Sequence, residues 1–256
     1  MSIDESDLKW PSLGSRHLGA LREAVTFIIA EFDVAGIAAC GSIIRGTPDR
    51  WSDLDIYVVN RAPFRQRIQR WFDDVPAEIF VNPEFQIHRY MADEQRDARP
   101  MTAHMLATGF IVYDPDGMVE RLRRTACRLL EDGPPEPGDQ ASPRYMIATL
   151  YEDAVDVLKI DPHTARLYLN RALQQCLEYS FSGRGRFVPR AKDLLARLSE
   201  EDPHLHDLTI RAIGAPDAKT QASVIGEIMD SVIGARGFFE WESTPEVLEQ
   251  TEADLR

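Results

Sequence analysis

The sequence predicts an α+β domain, a small mixed sheet with helices, followed by an all-α helical bundle. Three observations lead to this fold class. Helical and strand-like hydrophobic periods alternate in the first half of the chain. Residues 131–143 are rich in proline and glycine and have few apolar residues to bury, which is typical of a boundary. Beyond residue 143 the apolar residues keep a helical period almost throughout.

The first half is predicted to contain a helix over residues 18–32 and short strands rich in β-forming residues. The predicted strands are residues 34–40, 53–59, 77–82 and 110–113. Residues 63–74 are predicted to be helical, with Pro63 in the first turn. A small mixed sheet of this kind is expected to carry its helices on one face.

The second half is predicted to be a bundle of helices. Asp161 and Pro162 indicate a helix start, with aspartate as the N-cap and proline at the first helical position. The apolar stripe of this helix lies within residues 165–177, and a stripe within residues 222–233 predicts a later helix. Residues 187–192 are expected to open another. The predicted organisation is a first domain over 1–132, a linker over 133–143 and a helical domain over 144–256.

Composition limits the classes of partner. The formal net charge of −13 argues against broad binding to duplex nucleic acid, which needs many phosphate-neutralising cations. No apolar run approaches the roughly 20 residues of a membrane helix, and residues 1–10 lack the apolar stretch of a signal peptide. The expected compartment is therefore the cytoplasm. The sequence leaves the oligomeric state open.

The motif that indicates chemistry is the segment from residue 41 to residue 55. A predicted strand runs into Gly41 and Ser42, and a polar loop with a second glycine, Gly46, follows. The glycines allow sharp backbone bends that bring N–H groups close to phosphate oxygens. The Ser42 hydroxyl can donate to the same oxygens. Arg45 either caps this loop or contacts a phosphate.

Two aspartates and a glutamate follow the loop. Asp53 and Asp55 are two residues apart at the start of a strand, so both carboxylates point to the same face. Glu78 lies inside another apolar strand, where a carboxylate needs a partner or a metal. Carboxylate oxygens beside a phosphate cradle are the ligands that Mg²⁺ prefers. These three residues are the predicted metal and catalytic residues.

Gly-Ser, a second glycine, Asp-x-Asp and a later strand carboxylate resemble the nucleotidyltransferase fold of the DNA polymerase β superfamily. With the helical second half, the chain is similar to the kanamycin, streptomycin and lincosamide nucleotidyltransferases. The motif match covers residues 35–82. The resemblance implies that Ser42 holds phosphate, that Asp53 and Asp55 hold Mg²⁺, and that Glu78 is a third ligand or the base for the acceptor hydroxyl.

The resemblance also implies a function. The expected reaction is Mg²⁺-dependent transfer of an NMP from an NTP, with ATP as the expected donor, to a hydroxyl of a small-molecule acceptor. Several such enzymes use a lysine of the helical domain on the triphosphate, and Lys192, in a cluster of basic residues, is the candidate here. The alternatives are nucleotidylation of a protein or a tRNA end, as in toxin–antitoxin systems, and a nucleotide-binding module without turnover.

Overall fold

The computed structural model describes residues 3–243 and Pro245, and the chain divides into two units between Pro135 and Glu136. The first unit contains a five-stranded sheet, five α-helices and a short 3-10 helix (Glu5–Asp7) within its described residues. The strands are β1 (Val34–Cys40), β2 (Leu54–Asn60), β3 (Gln66–Phe72), β4 (Val75–Asn82) and β5 (Phe110–Tyr113). The helices are α1 (Ser15–Glu31), α2 (Gly41–Ile44), α3 (Glu84–Arg96), α4 (Met101–Thr108) and α5 (Met118–Asp132).

The sheet is mixed, with the strand order β3-β4-β2-β1-β5. Strands β2 and β4 are parallel, and every other neighbouring pair is antiparallel. Alternation along β2 sends Leu54, Ile56 and Val58 to one face, where they pack with residues of α1 in one buried core. Asp55 and Tyr57 point to the opposite face. This alternation separates the hydrophobic core from the acidic residues.

Helices lie on both faces of the sheet, so the expectation of helices on one face is too simple. The Tyr57 hydroxyl lies close to Thr102 of α4 on the face opposite α1. A methyl group added at Gly36 of β1 would collide with Val119 of α5 on that same side. Helices α4 and α5 therefore cover the β1 end of this face. The acidic residues of β2 and β4 lie on the part of this face that α4 and α5 do not cover.

The predicted helix over residues 63–74 is wrong, because this segment forms the edge strand β3 and its turn into β4. Asp73 and Asp74 make the turn with φ values of 45° and 57°, the left-handed conformation that suits a two-residue hairpin loop. Most β3 side chains are exposed, so the strand lacks the alternation of buried and polar residues that identifies a strand from sequence.

The second unit is helical, within the residues that the structure describes, as predicted. Its helices are α6 (Ala141–Val157), α7 (Pro162–Ser182), α8 (Leu194–Glu201), α9 (Pro203–Ile213) and α10 (Ala218–Val232). All five contribute to one buried core. Asp161 caps α7 as expected, since its carboxylate accepts from the backbone N–H groups of His163 and Thr164, and Pro162 is the first helical residue.

Two helix starts in this unit differ from the prediction, and the fold class is confirmed. Helix α8 begins at Leu194, so residues 187–192 precede it and do not form its first turn. Helix α6 begins at Ala141, inside the segment predicted as a linker. A mixed sheet with helices followed by a helical region is the predicted fold class. Among the helices described, none has the length and apolar character needed to span a membrane.

Candidate metal centre

Three carboxylates meet on the sheet face opposite α1. Asp55 on β2 is the direct neighbour of Glu78 on β4 in the parallel register, so their side chains leave the sheet on the same side. Asp53 precedes β2 by one residue and joins them. One carboxylate oxygen from each of the three lies within 4.8 Å of the others. The structure therefore brings together the three acidic residues that the sequence singles out.

The cluster is electrostatically costly without a cation. Burial, followed by the charges of Asp53 and Glu78, raises the pKa of Asp55 to about 6 from its ordinary value of 3.8. The guanidinium groups of Arg45 and Arg67 act in the opposite direction but do not offset it. Burial and the two neighbouring carboxylates together disfavour the ionised form of Asp55.

Glu78 is held by two side chains of the edge strand β3. Arg67 Nε donates to Glu78 Oε1 at 2.6 Å, and Gln69 Nε2 donates to the same oxygen at 3.0 Å. Glu78 retains only 12% of its side-chain exposure, and the bond from Arg67 is the main cause that lowers its pKa. Both bonds use Oε1, so the second oxygen, Oε2, takes no part in them.

Sequence reasoning missed Arg67 and Gln69, because it assigned their segment to a helix. Arg67 and Gln69 are two residues apart on β3, so their side chains lie on the same face of the sheet as Glu78. Gln69 is the direct partner of Glu78 in the antiparallel register. Arg67 also lies over the ring of Phe80, with its guanidinium carbon 4.8 Å from the ring centroid. The sequence does contain one signal of this hairpin: Arg67 and Gln69 are two positions apart, and the two-residue turn Asp73-Asp74 follows them.

Gly41 is required by the approach of Asp55. Its φ of +84° lies in the region that favours glycine, and an added Cβ would stand 2.1 Å from Asp55 Oδ2. The end of β1 therefore leaves no space for a side chain beside the carboxylate.

The loop between α2 and β2 is organised by its own polar side chains. Ser42 Oγ donates to Ser52 Oγ at 2.9 Å, and the backbone N–H of Asp49 donates to the same Ser52 oxygen at 2.8 Å. Gly46 has a φ of +77° and open space around it, while Arg45 is exposed at the end of α2. Of the predicted phosphate residues, Gly41 adjoins the Asp55 carboxylate, and the binding role of all four stays a prediction.

The basic cluster that includes Lys192 belongs to the second unit. Arg184, Arg186 and Arg190 form ion pairs with acidic residues of that unit, namely Asp202, Glu201 and Asp193. Lys192 lies in the exposed turn before α8, and no carboxylate of the described residues forms an ion pair with it. Its assignment to the triphosphate also stays a prediction.

The donor set fits a hard divalent cation. All three candidate ligands are carboxylates, which are the oxygen ligands that Mg²⁺ takes, and each offers one oxygen to a common point. The bonds of Glu78 to β3 restrain its position and leave Oε2 for a ligand. Asp53, Asp55 and Glu78 are the residues of this unit that could hold a metal ion.

Replacing Arg67 by alanine is expected to raise the pKa of Glu78. Arg67 is the largest cause that lowers this pKa, while burial acts in the opposite direction. NMR titration of the Glu78 carboxyl carbon in metal-free protein measures the change. Arg70→Ala is the matched control, because Arg70 stands on the same strand but lies over Phe27 of α1. An unchanged pKa in Arg67→Ala would show that the ion pair is absent in solution.

Comparison with known proteins supports the fold. No family model matches the chain, and no curated protein sequence matches it either. A nucleotidyltransferase-like protein from Exiguobacterium sibiricum 255-15, known from its crystal structure, is similar with a TM-score of 0.50. The two chains are 14% identical over 86% of this chain and 77% of the other. The chain therefore has a nucleotidyltransferase-like fold, in which the sheet carries a carboxylate cluster suited to a metal.

Proposed function

We propose that the protein is a Mg²⁺-dependent nucleotidyltransferase that moves an NMP from an NTP to a hydroxyl of a small molecule. The observation that carries the proposal is the convergence of Asp53, Asp55 and Glu78 to within 4.8 Å on a nucleotidyltransferase-like sheet. Three mutually repelling carboxylates are expensive to hold together, and a divalent cation removes that cost. The glycine loop beside them supplies the place for phosphate.

The proposed roles follow from the chemistry of each group. Gly41 and Gly46 let the backbone N–H groups of the loop approach the triphosphate, and the Ser42 hydroxyl turns from Ser52 to donate to a phosphate oxygen. Arg45, exposed at the end of α2, adds positive charge on this side. Lys192 is proposed to contact the triphosphate from the helical unit.

The reaction is an in-line displacement. The acceptor hydroxyl gives its proton to solvent as its oxygen forms a bond to the α-phosphorus. The bond from that phosphorus to the bridging oxygen breaks, and pyrophosphate leaves with the electron pair. Asp53, Asp55 and Glu78 would hold Mg²⁺, which would supply positive charge to offset the charge that develops on the phosphate oxygens. The contribution of the chain is to fix the carboxylates and the phosphate loop in one geometry, so that the reacting groups are already positioned.

The contacts of Glu78 favour a ligand role over a role as general base. The bonds from Arg67 and Gln69 lower the pKa of Glu78, which keeps it ionised and makes it a weaker proton acceptor. An ionised carboxylate with one free oxygen is a suitable cation ligand. Glu78 is therefore proposed as the third metal ligand.

The acceptor is proposed from the resemblance of the motif and the helical second half to antibiotic nucleotidyltransferases. It is a hydroxylated small molecule such as an aminoglycoside- or lincosamide-like antibiotic, and ATP is the proposed donor. The net charge of −13 makes a tRNA acceptor less suitable, because a long phosphate backbone would be repelled. Transfer to a protein and nucleotide binding without turnover are the other outcomes of the test.

Calorimetric titration of ATP, GTP, CTP and UTP with and without Mg²⁺ tests the proposal. Binding of at least one NTP is expected to need Mg²⁺ and to be lost in the Asp53→Asn/Asp55→Asn double variant. Incubation of labelled NTP with candidate antibiotics and proteins then identifies the acceptor by mass spectrometry. Tight binding without any product would favour the non-catalytic module, and metal-independent binding that survives in the double variant would contradict the proposed site.

A further inference from the structure

The second unit contains a cavity of about 650 Å³, and none of its lining residues has a role in the proposed transfer reaction. It lies between α6 and the segment of residues 237–242, which follows α10. Small-molecule sites in proteins have volumes of roughly 300–1,000 Å³, so this cavity has the size of a ligand site. Phe239 is partly buried against the helical core, which holds the segment on the unit.

Aromatic rings form much of the wall. Tyr145 of α6 and Trp241 of the segment pack with their ring centroids 5.1 Å apart and an interplanar angle of 34°. Phe238 also lines the cavity, and its side chain is 83% exposed. An aromatic ring gains free energy when it is buried, so the exposed Phe238 ring is available to contact a ligand. The guanidinium of Arg144 lies 5.1 Å from the centroid of Phe239, so a ring of this wall already contacts a cation.

The remaining charged groups of the wall are all acidic. Glu152, Glu240 and Glu242 line the cavity, and no lysine or arginine does. In the described part of the chain, none of these three glutamates forms an ion pair with a basic residue. The nearby Arg236 is bound to Asp230 through two nitrogens and is thus engaged elsewhere. The cavity combines three carboxylates with aromatic faces, and the guanidinium of Arg144 contacts the ring of Phe239 without itself lining the cavity.

We propose that this cavity binds a small organic cation of the alkylammonium class. Aromatic faces attract ammonium groups through the ring quadrupole, and quaternary ammonium ligands are commonly recognised in this way. The carboxylates add attraction of the same sign and disfavour anions. The proposal depends only on the second unit, so it stands or falls separately from the transfer reaction.

NMR titration with choline tests the site, with 3,3-dimethylbutan-1-ol as its uncharged carbon isostere and butylammonium as a primary ammonium. The indole N–H signal of Trp241, assigned by its loss in Trp241→Phe, is expected to shift with choline and to stay in place with the isostere. The butylammonium arm shows whether the site prefers a quaternary or a primary ammonium. A site with a Kd near 1 mM would be close to saturated at about 10 mM ligand.

Two variants localise the binding. Glu240→Gln and Trp241→Ala are each expected to weaken choline binding about tenfold, which is the size of one cation–π or charge contact. Glu200→Gln, an exposed glutamate of α8 away from the cavity, is expected to bind choline like the unchanged protein. Because Trp241→Ala removes the packing partner of Tyr145, Glu240→Gln carries the test alone if the alanine variant unfolds. Equal binding of the isostere, no shift of Trp241, or full binding by Glu240→Gln would each overturn the proposal.

Discussion

Replacing Asp53 or Asp55 by asparagine is expected to abolish nucleotide transfer and Mg²⁺ binding while the protein stays folded. Each substitution removes one negative ligand from the cluster of three carboxylates. Charge stabilisation by a bound metal is worth several kcal/mol in a transition state, so the expected loss of transfer activity is at least about 10³-fold. Calorimetry with Mg²⁺ and product formation from labelled NTP measure the two losses separately.

The same change at Asp55 is expected to stabilise the metal-free protein above pH 6. The pKa of Asp55 is raised from 3.8 to about 6, so ionising this residue costs free energy in the folded state. The cost is absent below about pH 4, grows between pH 4 and 6, and is complete above pH 6. Because Asp55 is partly exposed, the expected gain in Asp55→Asn is only about 1–2 kcal/mol in the free energy of unfolding.

Urea unfolding of metal-free protein at pH 4, 6 and 8 measures this effect. The difference between Asp55→Asn and the unchanged protein is expected to be small at pH 4 and largest at pH 8. Asp74→Asn is the matched control, since Asp74 is exposed in the β3–β4 turn with a φ of 57° that asparagine tolerates. A destabilised Asp55→Asn at pH 8 would show that the carboxylates do not repel one another as described.

The part of the site that could be predicted from sequence is the part governed by strand periodicity. Asp53 and Asp55 stand at the start of an apolar strand, so a period of two predicts a shared face. The same reasoning applied to residues 77–82 gave the orientation of Glu78. The pairing of β2 with β4 is a property of the tertiary structure, and it is this pairing that makes Asp55 and Glu78 neighbours.

The residues that support the site were not predictable in the same way. Strand β3 is an edge strand whose side chains are mostly exposed, so its sequence carries no hydrophobic alternation. Arg67 and Gln69 therefore resemble ordinary surface residues until the hairpin places them beside Glu78. The cavity of the second unit is a similar case, because Tyr145 and Trp241 are far apart in sequence and meet only in the fold.

Replacing Gly41 by alanine is expected to destroy the metal site. The added Cβ would stand 2.1 Å from Asp55 Oδ2, so either the carboxylate or the end of β1 must move. The backbone at φ +84° adds a cost of about 1–2 kcal/mol for any residue with a Cβ. Mg²⁺ affinity, measured by calorimetry, is expected to fall at least about 10²-fold, because a displaced ligand costs about as much as a missing one.

Gly46→Ala separates the two causes. Gly46 has nearly the same backbone strain, with a φ of +77°, but no heavy atom lies within 4 Å of its added Cβ. Both variants should therefore lose similar stability from the backbone, and only Gly41→Ala should lose Mg²⁺. If the two variants bound Mg²⁺ equally well, the contact between Gly41 and Asp55 would not position the carboxylate. If only Gly41→Ala loses Mg²⁺, the metal site requires glycine at position 41. The reason is that the carboxylate of Asp55 occupies the space that a side chain would fill.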